Sequence, residues 1–300
     1  MRALGLSLIA AGVIAGGVGL TAGRSVPGHA AAATLPPHPM RVMSLNQCTD
    51  QLVLALLPPQ RITSVTWLTR DPLTSRMATE SMQVGANFGA AEEVLAQHPD
   101  LVVTGVYTTG ALKVLLRRLG IAVYEAETPE SFDAIRDVTR KLAAVLGAEG
   151  EAEAMIAGMD GRLTDAANAP THLRVAAWDG GGYAPGAGTL YHELLTAAGA
   201  VNVAAEGGVN QYAEFDAEAV LMTAPDALVQ GVPTPDEPGL RREAETHPLA
   251  RRFYAERTVT VPQWAYVCGT PYSAEAVTML AEAFAALKAK GLDSPPFGAP

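Results

Sequence analysis

The sequence predicts an α/β protein of two similar lobes, each with a mostly parallel sheet, joined by one long helix and separated by a cleft. Three observations support this fold class: strand-length apolar segments alternate with amphipathic helical ones, one motif occurs twice, and a long helical run lies between its copies. We expect a leader at 1–33, a first lobe at 40–147, a joining helix at 148–168 and a second lobe at 172–292.

The first lobe follows the alternation of strands and helices that is typical of an α/β sheet. Its first helix is expected to stop at Pro58-Pro59, because proline lacks the amide hydrogen that a helix interior needs. The predicted elements are strand 41–44, helix 49–57, strand 61–66, strand 101–104, helix 111–119 and strand 121–124.

Two helical runs follow, at 129–146 and, after Gly147, at 148–167. At about 1.5 Å per residue the second run would be about 30 Å long, which is enough to cross from one lobe to the other. The alternative is an ordinary packed helix.

The second lobe begins after Pro170 with a strand at 173–178, and a glycine-rich loop at 179–188 leads into a helix at 189–198. This loop lacks the Lys-Ser/Thr ending of a P-loop and an acidic partner about 20 positions further on, so we favour a flexible, ligand-facing loop over a phosphate cradle. The remaining predicted elements are the second copy of the motif, a proline-rich loop at 232–238, a strand at 258–261 and a helix at 274–290.

The repeated motif is A-E-x-V-L-x-x-x-P-D-x-x-V-x-G, which starts at Ala91 and again 126 residues later at Ala217. Eight of the fifteen aligned positions are identical, which indicates an internal duplication. Each copy predicts a short helix, a Pro-Asp stop and a buried strand that ends at glycine. Glu92 and Glu218 lie in the first helical turn, so they either complement the helix dipole or present one carboxylate per lobe to a two-fold symmetric partner that offers Arg.

The first residues resemble a secretory signal peptide, since Met1-Arg2 precede an apolar run up to Leu20 and small residues follow at 30–33. An uncleaved membrane anchor is the alternative, but the run is rich in Gly and Ala and barely reaches the roughly 20 residues that a span needs. No cysteine precedes Cys48, so no lipid attachment site lies beside the leader. We therefore expect a soluble periplasmic protein.

The formal net charge of −10 comes from 31 acidic and 21 basic residues, and the basic residues form no long run. This composition argues against nucleic acid or an anionic membrane as a partner and suits a cationic docking site. No G-x-S-x-G elbow is present and the six histidines lie singly, so the sequence predicts no catalytic residue, no metal site and no cofactor.

The chain contains two cysteines, Cys48 and Cys268. In an oxidising compartment they are expected to form a disulfide that closes 220 residues and ties the start of the first lobe to the end of the second. Two free thiols, or a metal or redox role, are the alternatives, although the spacing matches no metal motif.

Several aromatic residues fall where predicted strands end, and the carboxyl ends of strands line the ligand crevice in open α/β sheets. Each alone is more often a packing residue, but their joint placement favours a ligand cleft between the lobes. The candidate ligand-binding residues are Trp67, Tyr107, Tyr183, Tyr212 and Trp264, with the polar residues Asn46 and Arg70 in similar positions.

Four segments carry a family resemblance: R-V-M-S-L at 41–45, A-E-E-V-L at 91–95 with H-P-D-L-V at 98–102, L-G-I at 119–121, and the second motif copy around Glu218. Over about residues 40 to 290 the chain resembles the class III periplasmic substrate-binding proteins of ABC importers for cobalamin, ferric siderophores and haem.

The resemblance implies two α/β lobes joined by one helix, with the ligand between them and little domain closure. It implies that Glu92 and Glu218 dock onto Arg residues of a permease dimer, and that Trp67, Tyr107 and Tyr212 contact the ligand. The expected ligand is a metal chelate, either cobalamin or a ferric siderophore. The expected protein is a monomer without a cofactor or an enzymatic activity.

Three alternatives remain open from the sequence. A haem-binding protein of the same family would use Tyr107, Tyr183 or Tyr212 as an axial ligand, with His192 a weaker choice. An exported enzyme would place a nucleophile and a base in the cleft. A structural or chaperone-like protein would instead bury its aromatic residues within the lobes.

Overall fold

The computed structural model describes residues 34–178, 182–231 and 247–297. The predicted leader, the start of the glycine-rich loop at 179–181 and the predicted proline-rich loop lie outside the described residues. Within those ranges the chain forms two lobes with parallel sheets, so the predicted fold class is confirmed. None of the helices in these ranges is both long and apolar enough to cross a membrane.

The first lobe is built on one parallel sheet of five strands: β1 (Val42–Ser44), β2 (Ile62–Thr66), β3 (Gly85–Asn87), β4 (Leu101–Gly105) and β5 (Val123–Ala126). Their order across the sheet is β3-β2-β1-β4-β5. β1 and β4 are buried along their whole length, as expected for parallel strands covered on both faces. The lobe also contains α1 (Gln47–Leu56), α2 (Ala78–Ser81), α3 (Ala91–Gln97) and α4 (Gly110–Arg118), with 3₁₀ turns at Pro59–Arg61 and Trp67–Arg70.

Two helices connect the lobes, α5 (Phe132–Leu146) and α6 (Glu149–Ala167). Between them Gly147 has a left-handed backbone with φ 63°, which glycine adopts without a steric penalty. An ion pair between Arg136 of α5 and Asp160 of α6, at 2.6 Å, joins the two helices.

Both connecting helices contribute apolar side chains to the cores of both lobes. In α5, Ile135 packs in the second-lobe core, whereas Leu142 packs in the first-lobe core. In α6, Ala152 belongs to the first-lobe core and Ile156 to the second-lobe core. The two lobes therefore share a helical pair, and separating them would expose apolar surface to water.

The described part of the second lobe contains six strands: β6 (Arg174–Ala177), β7 (Tyr183–Pro185), β8 (Val201–Asn202), β9 (Tyr212–Glu214), β10 (Ala227–Gly231) and β11 (Thr258–Val261). Four of them form a parallel sheet in the order β11-β10-β6-β8, while β7 and β9 pair as a small antiparallel ribbon. Its described helices are α7 (Leu190–Ala197), α8 (Val203–Glu206), α9 (Ala217–Thr223), α10 (Pro248–Phe253), α11 (Trp264–Val267) and α12 (Ser273–Ala289).

The two copies of the sequence motif form the same structural unit. α3 leads into β4 and α9 leads into β10, with every helix and strand boundary offset by 126 residues. Each helix ends at a non-glycine residue with a left-handed backbone, His98 (φ 46°) and Ala224 (φ 42°). Such residues rarely adopt this conformation, so its presence at matched positions supports an internal duplication.

Candidate ligand-binding site

A cavity of about 390 Å³, which we call the first-lobe cavity, lies at the carboxyl ends of the first-lobe strands. Its lining includes Leu45, Thr66, Gly105 and Ala126, which stand at or just after the ends of β1, β2, β4 and β5. Most of the wall is apolar, with a few neutral polar groups. This is the usual composition of a site for an organic ligand.

Two of the sequence-predicted residues, Asn46 and Tyr107, line the first-lobe cavity. Asn46 is the N-cap of α1, where its Oδ1 accepts the backbone N–H groups of Cys48 at 3.0 Å and Thr49 at 3.4 Å. Tyr107 follows β4 and is 83% exposed, so its ring is accessible to a ligand. One residue is thus fixed by helix capping and the other is open to solvent.

Trp67 starts the 3₁₀ turn after β2 and lies beside the first-lobe cavity, because its neighbour Leu68 is part of the cavity wall. Its ring centroid is 6.2 Å from that of Phe88, and both side chains are exposed. Phe88, which follows the three-residue strand β3, was not among the predicted ligand-binding residues. Together the rings form an exposed aromatic pair at the rim.

Asp50 in α1 anchors the turn that carries Trp67. Its Oδ2 accepts hydrogen bonds from the backbone N–H of Thr66 at 3.0 Å and from the hydroxyls of Thr66 and Thr69, both at 2.5 Å. The side chain is fully buried, and its Oδ1 has no hydrogen-bond partner in the described part of the chain. Burial raises the pKa of Asp50 to about 7, although the hydrogen bonds act in the opposite direction.

A second cavity, of about 190 Å³, lies at the strand ends of the second lobe, and we call it the second-lobe cavity. Its wall is dominated by aromatic side chains: Tyr183, Tyr191, Tyr212, Tyr266 and Trp178. The rings of Tyr191 and Tyr266 pack with their centroids 4.7 Å apart. The buried indole Nε1–H of Trp178 has no hydrogen-bond partner among the described residues, which is uncommon for a donor inside a protein.

The sequence-predicted residues of this cavity come from the antiparallel ribbon. Tyr183 is in β7 and Tyr212 is in β9, where each lies at one end of the paired segment. They are 56% and 59% exposed. The ribbon therefore presents two phenol rings at the mouth of the second-lobe cavity, while Tyr191 and Tyr266 form its inner wall.

The two cavities adjoin at α11 and the residues that follow it. Tyr266 lines the second-lobe cavity, whereas the next residue, Val267, and then Gly269 line the first-lobe cavity. Cys268 lies between them and forms a disulfide with Cys48, which also lines the first-lobe cavity. The disulfide therefore fixes the wall shared by the cavities to the start of α1.

The lining of both cavities is almost free of charge. Among the described residues that line them, Glu127 is the one charged side chain, and it pairs with Lys141 at 2.9 Å. The sequence-predicted cation, Arg70, ends the Trp67 turn and is exposed, with Nη2 donating to the carbonyl of Val84 at 3.4 Å. Arg70 is not part of either cavity wall.

Trp264 was predicted to line the ligand cleft, but its side chain lies in the core of the second lobe. The chain turns into α11 soon after β11, and Trp264, the first residue of that helix, is 7% exposed. It belongs to the second-lobe core together with Val261 and Leu280. Its neighbour Tyr266, two positions later, lines the second-lobe cavity instead.

Glu92 and Glu218 lie in the first turns of α3 and α9, and both are exposed. Other carboxylates cap these helices: Glu93 and Asp216 accept backbone N–H groups at 3.0 and 2.9 Å. Within the described part of the chain, neither Glu92 nor Glu218 has a hydrogen bond or an ion pair. The fold thus leaves one uncommitted carboxylate at the same position of each lobe.

Comparisons with known proteins agree on one architecture. The family model described as periplasmic binding protein matches residues 42–259. A cobalamin-binding protein of Halobacterium salinarum is 27% identical over 207 residues, which are 67% of this chain and 56% of that protein. The match therefore spans little more than half of this relative's length.

Two solved structures show the same fold. The periplasmic haem-binding protein of Pseudomonas aeruginosa aligns with a TM-score of 0.67 and 22% identity, over 87% of this chain and 96% of its own. The periplasmic vitamin B12-binding protein of Vibrio cholerae aligns with a TM-score of 0.59 and 17% identity, over 84% and 99%. At these identities the similarity concerns the fold.

Proposed function

Because the chain belongs to the periplasmic binding protein family, we propose that it is exported, captures a metal chelate and delivers it to the permease dimer of an ABC importer. The observation that carries this proposal is the pair of adjoining cavities at the strand ends of the two lobes. In this proposal the leader at 1–33 is removed on export, and the mature protein is a periplasmic monomer. The two lobes are residues 40–147 and 172–292, and the helix at 148–168 joins them.

The proposed ligand contacts come from both lobes. The first lobe contributes the cavity residue Asn46 and the exposed rings of Trp67 and Tyr107. The second lobe contributes the ribbon residues Tyr183 and Tyr212. Of the other candidates, Arg70 would flank the ligand from the rim, and Trp264 would support α11 from the core.

Cobalamin fits these cavities better than a ferric siderophore. An anionic ferric chelate would need cationic partners to offset the loss of its hydration, and the described cavity walls provide none. A large neutral chelate with amide groups suits aromatic walls that carry a few neutral donors, such as the indole N–H of Trp178. The similarity to a cobalamin-binding protein points in the same direction.

Haem is a second candidate because the second-lobe cavity holds four tyrosines. A phenolate of Tyr183 or Tyr212 could serve as an axial ligand to iron. The propionates of haem, however, would meet no cation on the described cavity walls. We therefore place haem after cobalamin.

We also propose that the ligand leaves the cleft chemically unchanged. The family consists of binding proteins, and Cys48, the one cysteine among the described residues that line the first-lobe cavity, forms a disulfide with Cys268. An enzyme in the same cleft would convert the bound compound, whereas a binding protein returns it intact on denaturation.

The test is calorimetric binding of the mature, oxidised protein to cobalamin, ferric hydroxamate, ferric catecholate and haem under identical conditions. We expect tight binding of cobalamin, and about tenfold weaker binding when either Tyr107→Ala or Tyr212→Ala removes an aromatic contact. Val114→Ala, which truncates an exposed side chain on α4, is the control and should bind like the wild type.

Binding of haem or a ferric chelate in place of cobalamin would reassign the ligand within the proposed class. No binding of any chelate, with a correctly folded protein, would overturn the proposal. Equal affinities of the two tyrosine variants and the wild type would show that the ligand does not lie between the lobes.

A further inference from the structure

The two copies of the repeated motif keep eight identical residues, and the fold explains the two valines, the aspartate and the glycine. The buried pair Val94 and Val220 belongs to the cores, and the same holds for the strand valines. The aspartate of each Pro-Asp step accepts backbone N–H groups of a neighbouring segment. A Cβ on either strand-end glycine would collide with a cavity side chain.

The identical glutamate and leucine pairs have no such explanation. Glu92 and Glu218 are exposed and take no part in capping, as described above. Leu95 and Leu221 follow three positions later and are 45% and 41% exposed. Residues three apart share one face of a helix, so each lobe presents an unpaired carboxylate beside an exposed leucine.

Exposed leucines occur singly on many proteins without any function. Here the same residue is exposed at the same position of both lobes, beside the same carboxylate, while the third exposed position of each helix differs between the copies. The next position, for example, is Ala96 in one copy and Met222 in the other. An accidental exposure would not be expected to repeat in this way.

We propose that Glu92 with Leu95 and Glu218 with Leu221 form two equivalent docking patches for one two-fold symmetric partner, with the leucines as their apolar half. The partner would offer, at each of its two sites, an Arg next to an apolar surface. This inference rests on the proposed function, in which that partner is the permease dimer.

A second copy of this chain is a poorer occupant of the patches. Both patches are acidic and the chain carries a formal net charge of −10, so self-association would bring like charges together. A cationic partner is complementary to both patches. Its arginines would steer the encounter, while burial of the leucines would slow dissociation.

The experiment measures saturable binding of the labelled mature protein, loaded with cobalamin, to spheroplasts of the source organism, whose importers face outward. The Leu95→Ala/Leu221→Ala variant should bind at least about tenfold more weakly, as expected when a central apolar contact is truncated. Leu95→Met/Leu221→Met should restore binding because it restores the apolar volume. Leu35→Ala/Met279→Ala removes two other exposed apolar side chains and should leave binding unchanged.

Two further readouts separate the possible failures. Calorimetry should give every variant the chelate affinity of the wild type, which shows that the lobes and the cleft are intact. If Glu92→Arg/Glu218→Arg abolishes spheroplast binding but the leucine variant binds within about twofold of the wild type, the leucine inference is overturned and the proposed function stands.

If the wild type itself shows no chelate-dependent, saturable binding, the delivery function fails and this inference fails with it. If the wild type dimerises in sedimentation and Leu95→Ala/Leu221→Ala makes it monomeric, the patches bind a second copy of this chain. That result would overturn the assignment to a permease.

Discussion

Both lobes fasten the repeated helix to the sheet with an arginine. In the first lobe Arg41 donates to the carbonyl of Gln97, the last residue of α3, at 2.6 Å and to that of His98, its C-cap, at 3.1 Å. In the second lobe Arg174 donates to the equivalent carbonyls of Thr223 at 2.9 Å and Ala224 at 3.4 Å. The arginine thus satisfies carbonyls that a helix end leaves without partners.

The lobes differ at the strand ends, where the cavities lie. Gly105, at the end of β4, approaches the side chain of Asn46, whereas its counterpart Gly231 approaches the phenol of Tyr266. The first-lobe cavity is larger and mostly aliphatic, while the second is smaller and tyrosine-rich. The two lobes therefore share the duplicated helix-strand unit but differ in their cavities. Such unlike cavities suit a ligand with two unlike faces.

The largest expected difference between the lobes concerns Asp50. The fourth residue of α1 is this buried acid, whereas the fourth residue of α7 is the partly exposed Glu193. The pKa of Asp50 rises from 3.8 to about 7 on folding, so between these pH values the folded protein holds a proton that the unfolded chain has lost. The stability that this proton confers is complete below pH 3.8 and is lost as the pH rises towards about 7.

Asp50→Asn cannot titrate, so its free energy of unfolding should not show the loss that the wild type shows as the pH rises through this window. The stability of the variant relative to the wild type should therefore increase by up to about 1.4 kcal/mol per pH unit. The measurement is urea unfolding at several pH values, with Asp165→Asn on the exposed face of α6 as the control. Parallel pH profiles for Asp50→Asn and the wild type would contradict the assignment of a raised pKa to this carboxyl.

Much of this architecture was accessible from the sequence, because long elements carry a clear periodicity. α6 lies within one residue of the predicted run 148–167, and β11 matches the predicted strand 258–261. The three-residue strand β1 lies within the predicted strand 41–44, but other short strands, such as β8 (Val201–Asn202), were missed because they are too short to show alternation.

The site was less accessible to sequence reasoning, because cavity walls depend on how separate segments meet. Tyr191 and Tyr266 line the second-lobe cavity from helices, and nothing in their local pattern distinguishes them from packing residues. Asp50 stands in an otherwise ordinary amphipathic helix, and its burial comes from contact with the turn after β2. The aromatic residues at strand ends were the one signal, and for Trp264 the unexpected α11 changed its position.

A smaller difference between the lobes concerns Asp100 and Asp226, the aspartates that follow the proline in the two motif copies. Asp226 is buried and accepts the backbone N–H of Arg174 at 2.8 Å, whereas Asp100 is exposed and accepts those of Met40 and Arg41 at 2.8 and 3.0 Å. Burial raises the pKa of Asp226, although the hydrogen bond to Arg174 opposes the shift.

Asp226→Ala should lower the free energy of unfolding by about 1–3 kcal/mol, because it leaves a backbone N–H unsatisfied away from water. Asp100→Ala should cost about 0.5–1.5 kcal/mol, because water can replace the lost acceptor at an exposed site. Chemical denaturation of the two variants at neutral pH gives the comparison. Equal losses would show that the two steps are energetically as well as geometrically alike.

The smallest expected effects come from the matched strand-end glycines. In Gly105→Ala the new Cβ would stand 2.8 Å from Cγ of Asn46, so the α1 N-cap must move, at a cost of about 0.5–2 kcal/mol. In Gly231→Ala the collision is with the far end of the Tyr266 side chain, which can rotate away at less cost to stability. Chelate affinity should nevertheless fall in both variants, since each displaced side chain lines a cavity. A loss of affinity in one variant alone would indicate that the ligand occupies a single lobe, and the asymmetric two-lobe site would then be wrong.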